Sequence, residues 1–527
     1  MSIELETPLA VVAARQGPRP LAFVDLRSVK PDAEVVKLAP GDFATRSQIL
    51  PLSIDGGVLV VAIGSESSLS AVDDLGVLLE RPVRAVLADP SLLRMQIEER
   101  YIAEILAGLP GDEAPDAEIG DNVDLADLQQ MASEAAVVQM VNLIFSRAVR
   151  DGASDIHIEP YEREVRVRYR LDGILHEIAK PPKRMHAALV SRLKILGEMN
   201  IAERRLPQDG RIKLQVAGRA IDVRVAIVPT MYGERAVMRI LDKANAIRGL
   251  EAVGMASDSL RSFRRLIRQP HGMILSTGPT GSGKSTTLYG ALQELTSIST
   301  NILTIEDPVE YQIFGIGQIQ VRPQIGLSFA NGLRSIVRQD PDIIMVGEIR
   351  DEETAEIAIH AALTGHLVLS TLHTNDSAGA ITRLLDMGVE PFLAASSIIG
   401  IMGQRLVRRN CPACTASSEE SETALRSLNI GPEDLKGKVL KRGRGCDVCA
   451  GTGFKGRTGV FELLVVDETI RKMTTERASA SAMKNYAIQA LGLRTLLEDG
   501  RRAVLEGLTT PEEVMRVCQR EDIYEGD

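Results

Sequence analysis

Hydrophobic and polar positions along the chain follow both strand and helix periods. Val58–Ile63 is an apolar run of strand length. In Val165–Arg170 apolar and basic residues alternate strictly, which predicts a strand that turns its apolar side chains toward a core. Leu93–Leu106 and Ala135–Arg150 instead place apolar residues at helical spacing. The pattern therefore predicts a mixed α/β chain.

The middle of the chain contains short apolar runs that predict buried strands. They are Met273–Thr277, Ile302–Ile305, Ile343–Val346 and Leu367–Leu369. A helix is predicted directly after the first of them, at Thr286–Leu295. Open α/β sheets gather ligand chemistry at the carboxyl ends of their strands, so residues that follow these runs are candidates for a site.

The longest apolar run, Phe392–Gly403, is diluted by Ala, Ser and Gly. It is shorter than the roughly 18 residues that cross a bilayer, so we expect a buried helix and no membrane insertion. The first ten residues, MSIELETPLA, lack the basic and apolar regions of a signal peptide. We expect a cytoplasmic protein.

Length and charge narrow the choice of architecture and partner. A chain of 527 residues is too long for one core, and 44% apolar with 25% charged residues is ordinary globular composition. A net charge of −10 argues against a nucleic-acid partner.

Pro110–Asp127 carries seven acidic residues and no basic one, which is typical of a solvated linker. The expected order is a docking domain at 1–108, an acidic linker at 109–134, a second N-terminal domain at 135–245, a central α/β domain at 246–405, a cysteine module at 406–465 and a helical region at 466–527.

One glycine-rich stretch indicates nucleotide binding. Residues 278–285 read GPTGSGKS and fit G-x-x-x-x-G-K-[ST] between a predicted strand and a predicted helix. The glycines allow successive N–H groups to face an anion, and the helix N-terminus favours the same phosphate. Lys284 would reach the β- and γ-phosphates of ATP, and the Ser285 hydroxyl would bind Mg²⁺. The predicted nucleotide-binding residues are Gly278, Pro279, Thr280, Gly281, Ser282, Gly283, Lys284, Ser285 and Thr286.

Carboxylates follow two of the predicted strands. Glu306 comes directly after Ile302–Ile305, and Glu310 lies four residues further on. Glu348 follows Ile343–Val346, where P-loop ATPases hold Mg²⁺ and a water molecule, although the usual Asp is missing. These carboxylates are the candidate catalytic acids and bases.

Basic residues near these strands have two possible roles. Arg334 and Arg338 are four apart on a predicted helix and should share a face, and Arg350 follows the Glu348 strand. His366 and His373 flank a predicted strand, where they are either structural or phosphate-sensing. Further upstream, Arg224 and Arg239 interrupt apolar strands, where a guanidinium pairs with a carboxylate or binds phosphate.

The cysteines form two C-x-x-C pairs, Cys411 with Cys414 and Cys446 with Cys449, separated by 31 residues. Four thiolates in two such pairs predict a closed structural Zn²⁺ site, and the alternative is four buried free thiols. The fifth, Cys518, is expected in the core of a C-terminal helix.

Four segments, GPTGSGKST, TIEDPVEY, IIMVGEIRD and TGHLVLSTLHTND, resemble in that order the Walker A, Asp, Walker B and His boxes of the secretion traffic ATPases. GASDIHIEP and PQDGR resemble the second N-terminal domain of that superfamily. The resemblance covers about residues 130–520 strongly and 1–108 weakly. It implies a RecA-like P-loop ATPase core preceded by a PAS-like α/β domain and a small α/β docking domain, with a tetracysteine zinc module and C-terminal helices.

The resemblance also implies a homo-hexamer in which each nucleotide lies between a PAS-like and a RecA-like domain. Glu310 would be the catalytic glutamate and Glu348 the metal-site glutamate. The docking domain would bind the cytoplasmic domain of an inner-membrane protein. Phosphate- or interface-directed roles would fall to Arg224, Arg239, Arg334, Arg338 and Arg350.

Within the superfamily the type II secretion branch is favoured, and a type IV pilus extension ATPase is the alternative. Two alternatives belong to other functional classes. A nucleic-acid motor would need a basic channel and stacking aromatics, whereas aromatics make up 3% of this chain and Trp is absent. A nucleotide-gated scaffold with little turnover is compatible with the missing Walker B Asp.

Overall fold

The computed structural model describes residues 21–26, 29, 31–90, 92–93, 96–97, 100–101, 135–216, 219–242, 249–449 and 451–518. The predicted acidic linker and most residues of the helix predicted at 93–106 lie outside these ranges. The chain divides into two compact units, one before and one after residue 240, with 219–221 grouped with the second.

The first unit begins with a small three-stranded sheet of order β1-β2-β3, whose strands are Ile49–Asp55, Val58–Ile63 and Val83–Leu87. The first two strands are antiparallel, and β3 runs parallel to β2. The second strand has the predicted bounds. The helices of this part are α1 (Ala33–Val36), α2 (Gly41–Ser47) and α3 (Leu69–Leu78).

A second sheet in this unit has six strands in the order β6-β5-β4-β9-β8-β7. The side chains of Val165, Val167 and Tyr169 are buried, which confirms the predicted alternation. The Tyr169 hydroxyl donates to the Ile144 carbonyl at 2.6 Å and joins the sheet to the helix Ala135–Asp151. The elements are β4 (Asp155–Pro160), β5 (Val165–Leu171), β6 (Ile174–Ala179), β7 (Gln208–Val216), β8 (Arg219–Thr230), β9 (Gly233–Asp242), α4 (Ala135–Asp151) and α5 (His186–Leu196).

The second unit is built on a seven-stranded sheet of order β12-β11-β13-β14-β10-β15-β18. The first six strands are parallel, and β18 pairs antiparallel with β15. Strands β10 and β14 are buried along their whole length, because helices cover both faces of the sheet. The strands are β10 (Gly272–Thr277), β11 (Ile302–Glu306), β12 (Gly317–Gln320), β13 (Ile343–Val346), β14 (Leu367–Leu372), β15 (Ile398–Asn410) and β18 (Phe454–Val465).

Helices of this unit surround the sheet and then extend beyond it. Those associated with the parallel strands are α6 (Ser257–Ile267), α7 (Lys284–Leu295), α8 (Phe329–Ile336), α9 (Glu352–Leu363), α10 (Ser377–Asp386) and α11 (Pro391–Ser397). A small module between β15 and β18 contains β16 (Thr415–Ser417), α12 (Glu422–Ser427) and β17 (Lys441–Gly443). The C-terminal helices are α13 (Glu468–Thr475), α14 (Ala480–Leu491), α15 (Leu496–Leu505) and α16 (Pro511–Cys518).

Two sequence predictions about elements are wrong in part. The run Phe392–Gly403 is a helix only to Ser397, after which the chain becomes strand β15. A buried strand and a buried helix cannot be told apart by apolar periodicity alone, and here pairing of Ile398 with β10 decides the outcome. Arg338 lies past the end of α8 at Ile336, so it does not share a helix face with Arg334.

Cys518 is buried in α16, as predicted. None of the helices in the described part of the chain combines the length and apolar character that a membrane crossing requires.

Candidate nucleotide site and cysteine cluster

The loop between β10 and α7 forms a cradle, and two of its glycines are required by both conformation and space. Gly278 has φ 147° and Gly283 has φ 90°, in a region that other residues rarely adopt. A Cβ on Gly278 would lie 2.5 Å from the carbonyl oxygen of Gln404, and one on Gly283 would lie 2.8 Å from its Nε2. Strand β15, which carries Gln404, therefore supports the cradle closely from one side.

Lys284 folds back onto this loop. Its Nζ donates to the carbonyl oxygens of Gly278 at 2.6 Å and Pro279 at 3.1 Å. The pKa of Lys284 is lowered to about 8, mainly by burial; the negative charge of Glu348 opposes this shift and the positive charge of Arg405 adds to it. The loop thus holds a desolvated amine that a phosphate would keep protonated.

Other atoms of the cradle fit a phosphate and a divalent cation. Ser282 is buried, and its hydroxyl has no hydrogen-bond partner in the described part of the chain. A buried unpaired hydroxyl costs on the order of 1–3 kcal/mol, a cost that a phosphate oxygen would remove. Ser285 lies exposed in the first turn of α7, where its hydroxyl is accessible to a metal ion.

Glu348 lies close to two other predicted site residues, Arg350 and His373. It lies two residues past β13, whose parallel pairing with β11 and β14 aligns their carboxyl ends. One of its oxygens lies 2.5 Å from Nη2 of Arg350, and the other lies 3.5 Å from Nε2 of His373. The hydrogen bond from Arg350 to Glu348 also holds the pKa of Arg350 above its ordinary value.

The two carboxylates after β11 have different surroundings. Glu306 is buried and accepts hydrogen bonds from the Tyr289 hydroxyl, from Thr304 Oγ1 at 2.6 Å and from Gln318 Nε2 at 3.1 Å. Glu310 is partly exposed, and its backbone N–H lies 3.4 Å from the Tyr289 hydroxyl oxygen. The geometry favours Glu310 over Glu306 as a candidate general base, because a base must be able to reach water.

Two predicted residues lie in structural contacts. Nδ1 of His366 lies 2.8 Å from the Ala361 carbonyl oxygen at the end of α9, so its ring satisfies a helix terminus. Arg334 pairs with Glu353 and donates to Asn331 at 3.2 Å. Neither contact brings its side chain to Lys284 or Glu348.

The predicted arginines of the first unit lie on the six-stranded sheet. Nε of Arg239 on β9 lies 3.0 Å from the buried carboxylate of Asp155, yet its side chain remains 59% exposed. Arg224 lies on the neighbouring strand β8. The phosphate-directed role of both arginines therefore remains a prediction.

A row of buried polar and charged side chains on β4 was not predicted from the sequence. Glu159 is buried and pairs with Arg168 at 2.7 Å and with Arg235 at 2.6 Å. Burial would raise the pKa of Glu159, but hydrogen bonding to Arg168 and the charge of Arg235 lower it overall. His157, two residues earlier, is buried too, and burial lowers its pKa. Polar residues at every second position of ASDIHIEP were the available signal.

The four predicted zinc ligands come together in the module between β15 and β18. Their sulfur atoms all lie within 4.8 Å of one another, and three of the pairs are 3.8 Å apart. A tetrahedral zinc site with Zn–S bonds of about 2.3 Å has sulfur atoms about 3.8 Å apart, so the cluster fits this metal. The ligand residues are Cys411, Cys414, Cys446 and Cys449.

Backbone groups around Cys449 favour a thiolate. Burial would raise the pKa of Cys449, but the N–H groups of Cys446 and Gly453 lie 3.2 and 3.3 Å from its sulfur and lower the pKa to about 7. A thiolate is the form that binds metal.

Comparison with known proteins agrees with the fold and the motifs. A family model for type II/IV secretion system proteins matches residues 130–516, and a MshEN domain model matches 19–105. The type IV pilus assembly ATPase PilB of Myxococcus xanthus is 44% identical over 501 residues, which cover 93% of this chain and 88% of PilB. The type II secretion system ATPase E of Vibrio cholerae is 50% identical over 393 residues, with coverage of 75% and 77%.

A solved structure supports the fold. The ATPase DotB of Legionella pneumophila superposes with a TM-score of 0.54 at 20% identity, covering 72% of this chain and 94% of DotB. The fold class predicted from the sequence is therefore confirmed. The cradle, the carboxylates at the strand ends and the family match lead to one conclusion: the chain is an ATPase and belongs to the type II/IV secretion system protein family.

Proposed function

We propose that this ATPase is a Mg²⁺-dependent homo-hexamer that powers type II protein secretion. The observation that carries the choice of branch is the similarity, at 44–52% identity, to type II secretion proteins of several bacteria. The PilB alignment extends over more of this chain, which makes type IV pilus extension the second candidate.

The proposed catalytic roles follow from the surroundings of each side chain. Lys284, whose charge bound phosphate favours, stabilises the phosphates, and the hydroxyl of Ser285 holds the metal ion together with Glu348. Bound Mg²⁺ supplies charge neutralisation at the phosphate oxygens. Glu310 accepts a proton from the attacking water. His373 and Arg350 orient Glu348 through the contacts described above.

Arginines from a neighbouring subunit complete the proposed site. Arg239 forms an ion pair with Asp155, and 59% of its side chain remains exposed. Its guanidinium is therefore both held in place and accessible. Arg224 on the adjacent strand would act with it. A planar guanidinium suits phosphate, and an arginine supplied in trans stabilises charge on the transferred group.

The cysteine cluster would hold one structural Zn²⁺. Four thiolates complete a tetrahedron and leave no open position for a water molecule, so the metal would hold the module together without taking part in hydrolysis.

Residues 1–108 would bind the cytoplasmic domain of an inner-membrane protein and so keep the ATPase at the membrane periphery. The described part of this region forms its own sheet and core, as a docking module requires. Removal of 1–108 should release the ATPase to the soluble fraction of the host. Continued co-sedimentation with inner membranes would contradict the docking role.

The proposed function is tested by deleting the gene for this chain in its host. We expect exported proteins to accumulate inside the cell while surface pili remain, and wild-type protein, but not Lys284→Ala, to restore secretion. Loss of pili with normal secretion would favour the pilus alternative. A purified chain that binds ATP but does not turn it over, alone or assembled, would support the scaffold reading.

A further inference from the structure

The helix that follows the cradle carries a buried tyrosine without a predicted role. Tyr289 is 2% exposed and lies four residues after Ser285 on α7. Residues four apart on an α-helix lie on the same face, so Tyr289 is rigidly connected to the turn that ends the cradle. Its hydroxyl therefore has a fixed position relative to the phosphate-binding loop.

The Tyr289 hydroxyl links two groups at the end of β11. It donates to the Glu306 carboxylate, and its oxygen accepts from the backbone N–H of Glu310 at 3.4 Å. A hydroxyl that donates to a carboxylate becomes a better acceptor, because hydrogen bonds in a chain polarise one another. This chain of two hydrogen bonds holds the backbone of Glu310 at a set distance from α7.

Glu306 has the surroundings of an anchor. Thr304 Oγ1 and Gln318 Nε2 both donate to its Oε1, at 2.6 and 3.1 Å, which leaves Oε2 for Tyr289. All three donors are neutral, and no basic side chain forms an ion pair with Glu306 within the described residues. A carboxylate whose oxygens are occupied by three fixed donors is held in place.

Gln318 fixes the same segment at a second point. Its amide nitrogen also donates to the Tyr311 carbonyl oxygen at 3.2 Å, and its amide oxygen accepts from the N–H of Ile313 at 2.7 Å. The ring of Tyr311 packs edge-on against that of Tyr289, with centroids 4.6 Å apart. Hydrogen bonds with Tyr289 and with Gln318 thus hold the segment that carries Glu310 next to α7 and Glu306.

We propose that Tyr289, with Glu306 as its acceptor, is a positioning residue for ATP hydrolysis that sets the place of Glu310 relative to the phosphate cradle. The proposed role rests on Glu310 being the base. Misplacing a catalytic group by about 1 Å can lower a rate by roughly 100-fold. Because Tyr289 touches none of the phosphate-binding atoms described above, its loss should affect turnover and not ATP affinity.

The test compares Tyr289→Phe with Tyr311→Phe in the full chain. Each removes one hydroxyl and keeps the ring pair, but the Tyr311 hydroxyl makes no hydrogen bond to any described residue. We expect Tyr289→Phe to lower kcat about 10- to 100-fold with KM for ATP unchanged, and to lower Tm only slightly because one buried hydrogen bond is lost. Tyr311→Phe should behave as wild type. Wild-type kcat in Tyr289→Phe, or equal losses in both variants, would overturn the proposal.

A double variant separates positioning from a general structural role. Single-turnover hydrolysis is measured for Glu310→Gln with and without Tyr289→Phe. If Tyr289 acts through Glu310, the second change should cost less than twofold, whereas a full additional loss would overturn the proposal.

Two failures can be told apart. Wild-type turnover in Glu310→Gln would show that the proposed base is wrong, and the role of Tyr289 would fall with it. An inactive Glu310→Gln together with a fully active Tyr289→Phe would overturn the positioning role alone.

Discussion

Lys284 is a cation in contact with carbonyl oxygens of its own loop and largely removed from water. Those carbonyls replace part of its hydration, yet they cannot neutralise its charge. A bound phosphate does both. The residue is therefore less well accommodated without nucleotide than with it, and two predictions follow from that difference.

The first prediction separates binding from chemistry at single residues. Lys284→Ala should lower ATPase activity at least ~100-fold without lowering Tm, because it removes a charge that stabilises the phosphates. Glu310→Gln should bind ATP as wild type does and lose ~10²–10⁴-fold in turnover. Steady-state kinetics, a fluorescent ATP analogue and thermal melting check these outcomes. Normal turnover in Glu310→Gln would mean that another carboxylate, with Glu306 next in line, is the base.

A second prediction concerns pH. The pKa of Lys284 is about 8 without nucleotide, so the amine is charged below that pH and neutral above it. Bound phosphate favours the charged form, and binding above pH 8 must then take up a proton. We expect the Kd for ATP to be constant near pH 7 and to rise toward about tenfold per unit above pH 8.

The measurement is a titration of ATP affinity from pH 7 to pH 9.5 at constant salt and Mg²⁺. Glu310→Gln is the matched control, since it retains Lys284 and should follow the same curve. A Kd that stays flat across this range would contradict the shifted pKa.

Residues of the site differ in how far the sequence could predict them. The cradle is encoded in adjacent residues, so GPTGSGKS was sufficient to locate it. The burial of Glu306 depends on Tyr289, 17 residues away, and the close support of Gly278 comes from Gln404 on β15. Such contacts arise only when strands pair, and no local spacing announces them.

At the scale of elements, strand ends collect the chemistry and the small module is separate from it. Parallel pairing of β11, β13 and β14 could be expected from their apolar runs, and it places Glu306 and Glu348 at one edge. The change from helix to strand after Ser397 could not be expected from the sequence, because it depends on the pairing of β15 with β10. Apolar content predicted burial correctly and left the element type open.

The prediction at this scale is that the purified protein carries one zinc ion per chain. Zinc in comparable sites contributes ~10–16 kcal/mol of apparent folding free energy in peptides. Cys411→Ser or Cys449→Ser should therefore unfold residues about 406–460 first. Cys518→Ser is the control, since this cysteine lies in α16 and outside the cluster.

Metal analysis and hydrogen exchange across 406–460 provide the measurements. A fresh preparation without zinc, or equal protection of the module in Cys449→Ser and Cys518→Ser, would contradict the metal role.

For the whole molecule, the proposed site takes its arginines from a neighbouring subunit, so activity should depend on assembly. We predict that specific activity rises with protein concentration. An equal mixture of Lys284→Ala and Arg239→Ala chains should have about a quarter of its sites active. Each shared site needs an intact Lys284 from one subunit and an intact Arg239 from its neighbour, and each of these is present in half of the chains.

Light scattering fixes the oligomeric state while activity is measured. Each variant alone is the control and should stay inactive. Dilute monomer that hydrolyses ATP as fast per chain as the assembled form, or a mixture with no recovery, would contradict a site shared between subunits.

The insertion of the cysteine module between β15 and β18 has a consequence for protein synthesis. A ribosome makes β15 first and must add residues 411–453 before β18 emerges to cover its edge. At ~5–20 residues per second these 43 residues (453 − 411 + 1) take about 2–9 s. During that interval the nascent chain already has its complete nucleotide loop but exposes a bare strand, which is the kind of surface that chaperones bind. Slow translation that lengthens the interval between the emergence of β15 and that of β18 would therefore lower the yield of folded enzyme.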